Sequence, residues 1–277
     1  MAATETTTAS IRPIIGLHDD ALTLCAISVV ASMVATMLHE GLGHAALALS
    51  TGATSGVLSS VAWSSVFDSR LVSAGGTLVN LAAALLLWLL LRRARNASAS
   101  LRFFLLITMA FNLFTGTGYF FYSGVTNFGD WAAVIRGQHP HWLWRAGLVV
   151  VGMAAYWGAM VVVGRSLVRF MGVPASDAVR FRSLTLVPYF TALLLEGFAG
   201  LLNPFGLRFV FESALAATAG ANCGLIWLRH YIPKTTVPGY RSEVIGRSYA
   251  WITVALVLAA AFIVILGPGV RVAAWGS

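Results

Sequence analysis

The sequence predicts an all-α polytopic membrane protein with about seven transmembrane helices. Of its 277 residues, 58% are hydrophobic and only 10% are charged, whereas soluble domains carry about 25% charged residues. Apolar runs of about 20 residues, the length that crosses the hydrocarbon core of a bilayer, recur along the chain. The predicted spans, each bounded by arginine, proline, glycine or small polar residues, are 21–49, 71–91, 101–122, 143–164, 183–202, 207–229 and 248–268.

The chain divides into a polar N-terminal segment, residues 1–20, and one membrane domain. The first apolar run begins after Asp20 and ends without the small-residue cleavage site of a secretory signal, so we expect it to be retained. The polar residues that stand out within apolar surroundings concentrate in residues 21–136. Residues 137–277 are expected to add further transmembrane helices to the same domain.

The basic residues flank the apolar runs. The formal charge is +8 and the pI is near 10.2, but no basic stripe with interleaved aromatic residues is present, which argues against nucleic-acid binding. If seven spans alternate in direction, 13 of the 18 lysines and arginines lie on the side of the N-terminus. This excess predicts a cytoplasmic N-terminus and an external C-terminus, in a bacterial-type cell membrane.

Two connections are expected to carry structure of their own. Residues 51–70, after the first span, alternate serine, valine and aromatic residues between glycines, which predicts a short β-hairpin at the membrane face. Residues 123–142, after the third span, are too polar and too rich in glycine to cross lipid, yet they contain several apolar side chains. This mixture predicts a re-entrant or interfacial segment.

The first span ends in an unusual group of ionisable residues. His39, Glu40 and His44 lie within six positions of an otherwise apolar helix. Ionisable groups at this depth are costly and usually functional. The alternative is that backbone carbonyls satisfy the histidines and an arginine pairs with the glutamate. We interpret the group as a metal site, because three such residues are difficult to satisfy by chance.

The spacing of the histidines decides the local geometry. Zinc sites on helices use histidines four residues apart, whereas His39 and His44 are five apart and would diverge by about 140° on a regular helix. A π-bulge would realign them, and Gly41 and Gly43 supply backbone freedom. The alternative is a regular helix in which Glu40 and His44 form the ligand pair. The bulged arrangement is preferred because it leaves Glu40 free as a general base.

A catalytic zinc site requires a third protein ligand. Asp130 is the predicted ligand, since it is the only acidic residue in the polar segment after the third span. Its alternative roles are a helix N-cap or a partner for Arg136. His139 and His141 are other candidates, although the neighbouring Pro140 and tryptophans are typical of an interfacial loop.

Taken in order, these parts resemble the site-2 protease family of intramembrane zinc metalloproteases. In that family a first core span bearing His-Glu-x-x-His precedes a membrane-associated β segment and then a span with a small-Gly-Pro-x-x-Asn signature. A later Asn/Asp-Gly region supplies the third zinc ligand. This chain offers His39-Glu40-Gly41-Leu42-Gly43-His44, the candidate hairpin, Ala74-Gly75-Gly76-Thr77-Leu78-Val79-Asn80, Asn112-Leu113 and Asp130. The resemblance covers residues 30 to about 135 and implies a metalloprotease-like core over residues 21–136.

The chain also departs from the family pattern. The histidine motif contains one extra residue, Gly76 stands where proline is usual, and Asp130 lacks the usual Asp-Gly dipeptide. The family generally has its site nearer the cytoplasm, whereas the arginine distribution suggests the external side. Asn80 and Asn112 are expected either to hydrogen-bond a substrate strand or to hold helices together.

The expected function is therefore hydrolysis of a peptide bond in or near a transmembrane segment of a membrane-protein substrate. His39, His44 and Asp130 would bind zinc, Glu40 would be the general base, and membrane lipid would surround the protein. The alternatives are a catalytically inactive relative, a metal-ion transporter, or a di-iron or other metal oxidoreductase that uses Glu40 and His44. Two further acidic residues in apolar runs have open roles, Glu196 and Glu212.

Overall fold

The computed structural model describes residues 18–171, 178–203, 206, 215–216, 218–230 and 243–274. Within this part of the chain, six helices are long and apolar enough to cross a membrane, which indicates an integral membrane protein. They are α1 (Ala21–Thr51), α2 (Arg70–Arg93), α3 (Ala99–Thr126), α5 (His141–Met171), α6 (Ala178–Leu201) and α8 (Tyr249–Leu266). Two short helices lie between them, α4 (Asp130–Val134) and α7 (Gly224–Trp227).

Six of the seven predicted spans coincide with these helices, and the span predicted at 207–229 falls partly outside the described residues. Residues 207–214 and 217 are not described. The following chain forms a 3-10 turn (Ala221–Cys223), then α7, then a second 3-10 turn (Leu228–His230). The count of seven spans and the opposite placement of the two termini therefore stay predictions.

Helix α3 is the centre of the bundle. It packs against α1, α2 and α5, and its aromatic side chains Phe103, Phe111 and Phe114 are at most 1% exposed. Helix α8 is peripheral and contacts α1 and α6 mainly through Ala255 and Phe262. In lipid, close packing rather than removal of apolar surface from water holds such helices together. The residues that α3 carries are therefore held most rigidly.

The predicted hairpin is confirmed and is part of a larger sheet. Strands β1 (Ser55–Leu58) and β2 (Trp63–Ser64) pair antiparallel, with Leu58 opposite Trp63. Strand β3 (Val270–Ala273), from the far end of the chain, pairs with the other edge of β1, with Leu58 opposite Val270. The order β2-β1-β3 leaves β2 as an edge strand.

The segment between α3 and α5 does not continue either helix. Helix α3 ends with Asn127 in the left-handed conformation (φ 56°), and Gly129 (φ 83°) then reverses the chain, a conformation that glycine adopts without steric cost. The five-residue helix α4 follows and packs against α2 and α3. The expectation that residues 123–142 contain no full span is confirmed, and their depth in the membrane stays a prediction.

Candidate metal centre

The histidine motif lies on a π-helical stretch of α1. Residues Met37–Ala46 form this stretch, within which His39, Glu40 and His44 are all buried. A π-helix bonds each residue to the fifth one before it, so side chains five apart point in the same direction. The predicted π-bulge is confirmed, although it extends over ten residues rather than one turn. The alternative pairing of Glu40 with His44 requires a regular helix, which is not present here.

Three donor atoms converge at this stretch. His39 Nε2 lies 3.3 Å from His44 Nε2, and Asp130 Oδ2 lies 3.2 Å from the first and 3.4 Å from the second. Ligand atoms around tetrahedral zinc, at bond lengths of about 2.0–2.1 Å, are separated by about 3.3 Å. The three atoms therefore occupy three corners of a zinc-sized tetrahedron, and the residues fit the metal that the sequence predicted.

Asp130 reaches the histidines from the first turn of α4. Its Oδ2 is buried and makes no hydrogen bond of acceptable geometry to any described residue. The N-cap position belongs to Gly129, and Arg136 pairs instead with the exposed Asp68 at 3.8 Å. The carboxylate form is the one that binds metal.

The second nitrogen of each imidazole is fixed by an acceptor oxygen. His39 Nδ1 contacts Asn80 Oδ1, and His44 Nδ1 lies 2.7 Å from the carbonyl oxygen of Val72. Because carbonyl oxygens only accept hydrogen bonds, each Nδ1 carries the proton and donates it. The lone pair of each Nε2 is then free for a metal, the arrangement that orients metal-bound histidines in proteins.

The two predicted asparagines form a chain behind His39. The Nδ2 group of Asn80 donates to Asn112 Oδ1 at 2.7 Å and to Ala35 O at 3.3 Å, and Asn112 Nδ2 donates to Thr108 O at 2.8 Å. Both asparagines are fully buried, and neither lines the large cavity described below. Of the two expected roles, holding helices together agrees with this position, with the added effect of orienting His39.

Helix α2 approaches the motif closely through glycines. A Cβ atom on Gly43 would collide with the backbone of Gly75 and Gly76. A Cβ atom on Gly76 would lie 2.5 Å from His44 Nε2 and 2.7 Å from His39 Nε2, which is too close to both nitrogens. Glycine at position 76, where the resembled family has proline, is therefore a steric requirement of this site.

Glu40 lies beside the triangle and is not one of its corners. Its Oε2 accepts a hydrogen bond of 2.8 Å from the backbone N–H of Trp63, at the start of β2. Its Oε1 lies 4.0 Å from His39 Nε2. The hairpin thus fixes one carboxylate oxygen and leaves the other next to the metal position.

A large cavity of about 1160 Å³ opens onto the site. It reaches Glu40, His44 and Asp130, and its other walls come from the hairpin, α3, α5 and the chain around α7. Most of these wall residues are aromatic or aliphatic, which is typical of a site for an apolar ligand. Prominent among them are Trp63, Phe67, Tyr119, Phe121, Tyr122, Val125, Met153, Tyr156, Trp157, Met160 and Trp227.

A second, small cavity of about 50 Å³ lies behind His39 and Glu40. Two buried polar atoms of its wall, Ser60 Oγ and Asn222 Oδ1, have no hydrogen-bond partner among the described residues. Its wall also includes Glu196, which accepts hydrogen bonds from Ser32 Oγ and Thr36 Oγ1. A buried water needs about 10–15 Å³ and two to four polar partners. The small cavity is therefore a polar, water-sized chamber.

The remaining sequence candidates lie elsewhere. His141 contacts Asn127 at the surface, and neither it nor His139 belongs to the metal group found among the described residues. Glu212 lies outside the described residues. Sequence reasoning missed Tyr119, whose ring stacks on His39 with centroids 4.8 Å apart and an interplanar angle of 26°. No sequence signal distinguishes this tyrosine from the other aromatic residues of α3.

Comparison of the chain with protein-family models, with curated proteins and with solved structures gave no match. The resemblance to the site-2 protease family therefore stays a prediction, based on the motifs quoted above. The geometry of the three converging donor atoms does not depend on that resemblance.

Proposed function

We propose that the protein is an intramembrane zinc metallopeptidase that hydrolyses a peptide bond in or near a transmembrane segment of another membrane protein. The observation that carries the proposal is the triangle of His39 Nε2, His44 Nε2 and Asp130 Oδ2, with sides of 3.2–3.4 Å. Structural zinc sites close all four positions with protein ligands, whereas catalytic sites use three and leave one open. Three converging donors with a neighbouring carboxylate favour the catalytic type.

The chemistry follows from the groups around the open position. When bound, zinc supplies Lewis acidity, which polarises the scissile carbonyl and makes a water molecule more acidic. Glu40 takes the proton of that water at Oε1, because the N–H of Trp63 already occupies Oε2. Glu40 then passes the same proton to the leaving amine, so the carboxylate is regenerated. Asn80 and the carbonyl of Val72 keep both imidazoles oriented throughout.

The substrate is expected to enter the large cavity as an extended segment. The cavity wall includes residues of β2, and β2 is an edge of the sheet because β3 covers the other side of β1. An extended peptide can add to such an edge through main-chain hydrogen bonds. Because Trp63 begins β2 and also binds Glu40, a peptide on this edge lies next to the general base.

The orientation in the membrane follows from the arginines. The junction of α2 and α3 contains Arg92, Arg93 and Arg95, and it lies at the opposite end of these helices from α4 and Asp130. Arginines and lysines collect on the cytoplasmic side of membrane proteins. We therefore propose that this junction is cytoplasmic and that the metal centre lies nearer the external side of a bacterial-type cell membrane.

The first test is metal content per chain, measured by mass spectrometry on purified protein. We expect about one zinc per wild-type chain, retention of zinc in Glu40→Gln, and loss of zinc in His44→Ala and Asp130→Ala. The matched control is His139→Ala, which removes an imidazole outside the donor triangle and should leave zinc unchanged.

The second test is hydrolysis. Wild type and Glu40→Gln are incubated with detergent-solubilised membrane proteins, and new N-termini are labelled and identified. The proposal expects cleavage sites in or beside transmembrane segments that occur only with wild type. Bound zinc without any such cleavage would reject the peptidase in favour of an inactive relative, and wild type without zinc would reject the metal centre itself.

A further inference from the structure

We propose that Tyr119 is a further catalytic residue, whose phenol hydroxyl donates a hydrogen bond to the oxyanion that forms when the scissile carbonyl is attacked. This inference rests on the proposed function, because it assigns a role in the same reaction. Neither the histidine motif nor the resemblance to a family points to this tyrosine. The stacking of its ring on His39 and its place on the walls of both cavities support this role.

The ring of Tyr119 is held on both sides. One face stacks on the imidazole of His39. An atom at the Cβ position of Gly129 would lie 3.7 Å from Tyr119 Cε1, so the ring edge next to the hydroxyl lies against the backbone just before Asp130. Tyr119 is carried by α3, the central helix of the bundle. The ring therefore packs against one predicted metal ligand, His39, and against Gly129, the residue that precedes another predicted ligand, Asp130.

Tyr119 lies near the acidic residues of the site and on the walls of both cavities. Tyr119 is close enough to interact electrostatically with both Asp130 and Glu40. Among the described residues, only Glu40, Val61 and Tyr119 line both the large cavity and the small polar chamber. Of these three, Glu40 offers a proton acceptor and Tyr119 a proton donor, whereas Val61 is apolar. A proton acceptor and a hydrogen-bond donor therefore both line the two cavities beside the proposed metal ligands.

A donor in this place has a defined chemical use. Attack of water on the scissile carbonyl converts the carbonyl oxygen into an anion, while Glu40 takes the proton that the water releases. Fixed donors aimed at such an oxygen lower the barrier strongly in a site that excludes bulk water. Tyr119 keeps its own proton, so its hydroxyl acts only by hydrogen bonding. Glu40 remains the group that transfers the proton.

Tyr119 could instead act only by packing its ring against His39. Two substitutions distinguish this packing role from hydrogen bonding by the hydroxyl. Tyr119→Phe keeps the ring and its stacking but removes the hydroxyl, whereas Tyr119→Leu removes both. Tyr189→Phe is the matched control. Tyr189 lies on α6, its hydroxyl donates a hydrogen bond to the carbonyl oxygen of Ala219, and it lines neither cavity. Metal content is measured for each variant.

The experiment combines kinetics with a readout that does not require turnover. A fluorogenic peptide built on a cleavage site found with the wild type gives kcat and KM. In parallel, cobalt-loaded protein is titrated with acetohydroxamic acid, and binding is followed by the visible absorption of cobalt. We expect Tyr119→Phe to keep full metal content, to lose about 100-fold in kcat with little change in KM, and to bind the hydroxamate about 10-fold more weakly.

The outcomes distinguish this inference from the proposed function. If the wild type binds metal but cleaves nothing, the proposed function fails, and the hydroxamate titration alone decides whether Tyr119 donates to a bound oxyanion. Equal kcat and equal hydroxamate affinity in Tyr119→Phe and wild type would overturn the inference. Loss of metal from Tyr119→Phe, or a similar loss of rate in Tyr189→Phe, would also overturn it by showing a structural effect.

Discussion

The two ends of α1 each carry a group of interacting charged and polar side chains, and the two groups are built differently. At the N-terminal end, which we call the ion-pair end, Asp19 binds Arg180 at 2.7 Å and Asp20 binds Arg247 at 2.9 Å. The metal end, formed by His39, His44 and Asp130, lies about 27 Å further along the helix axis.

The difference lies in which atoms face each other. At the ion-pair end every contact joins a donor to an acceptor. Asp19 Oδ1 also accepts the backbone N–H of Ile245, and the hydrogen bond from Arg247 holds the pKa of Asp20 below its usual value. At the metal end three acceptor atoms converge, because both imidazole protons are directed away on Nδ1. Converging acceptors are unfavourable unless a cation joins them. A cluster of polar side chains therefore does not by itself indicate a functional site. Convergence of several hydrogen-bond acceptors on one point does indicate a metal site.

The largest expected effect comes from the glycines that separate α1 from α2 at the metal end. Gly43→Ala places a methyl group within the backbone of Gly75 and Gly76, so α2 must move and the imidazoles lose their alignment. We expect loss of bound zinc, measured as metal content per chain. Gly41→Ala is the control, since a Cβ atom there meets nothing within 4 Å.

This pair also tests why the motif contains two glycines. If both variants lost zinc, backbone freedom within the π-helical stretch would be the requirement, as the sequence interpretation assumed. If only Gly43→Ala lost zinc, close approach of α2 would be the requirement. Retention of zinc in Gly43→Ala would contradict the described packing.

Much of the metal end was predictable from sequence, because its signals are chemical and local. Two histidines and a glutamate in an apolar run predict a site, and their five-residue spacing predicts the π-helical stretch. Asp130 was predictable as the only acidic residue of a polar segment.

The parts that sequence reasoning missed depend on contacts between distant segments. Strand β3 consists of four residues with no pattern of their own, and its pairing with β1 joins two segments that are far apart in the sequence. Tyr119 resembles every other aromatic residue of α3 until its ring is seen on His39. The ion-pair end joins Asp19 to a residue 161 positions away, so no local pattern could predict it.

The next largest effect is expected at the ion-pair end. Asp19→Asn removes a charged partner of the buried Arg180, a change that typically destabilises a protein by about 3–5 kcal/mol. Because carbonyls of Met171 and Glu243 still accept from Arg180, we expect about 3 kcal/mol. The free energy of unfolding in a denaturant series measures it, and zinc content should not change. Loss of zinc in Asp19→Asn would show that the two ends of α1 are coupled. It would contradict the view that only the metal end determines zinc binding.

The smallest of the three effects is expected behind His39. Asn80→Leu removes the acceptor of the Nδ1 proton of His39, so the imidazole is less well oriented and less basic. Loss of such a partner typically weakens metal binding by about 10–100-fold, which competition with a zinc chelator measures. Unchanged affinity in Asn80→Leu would mean that stacking on Tyr119 alone orients His39, so the argument for a hydrogen-bonded support of the metal end would fail.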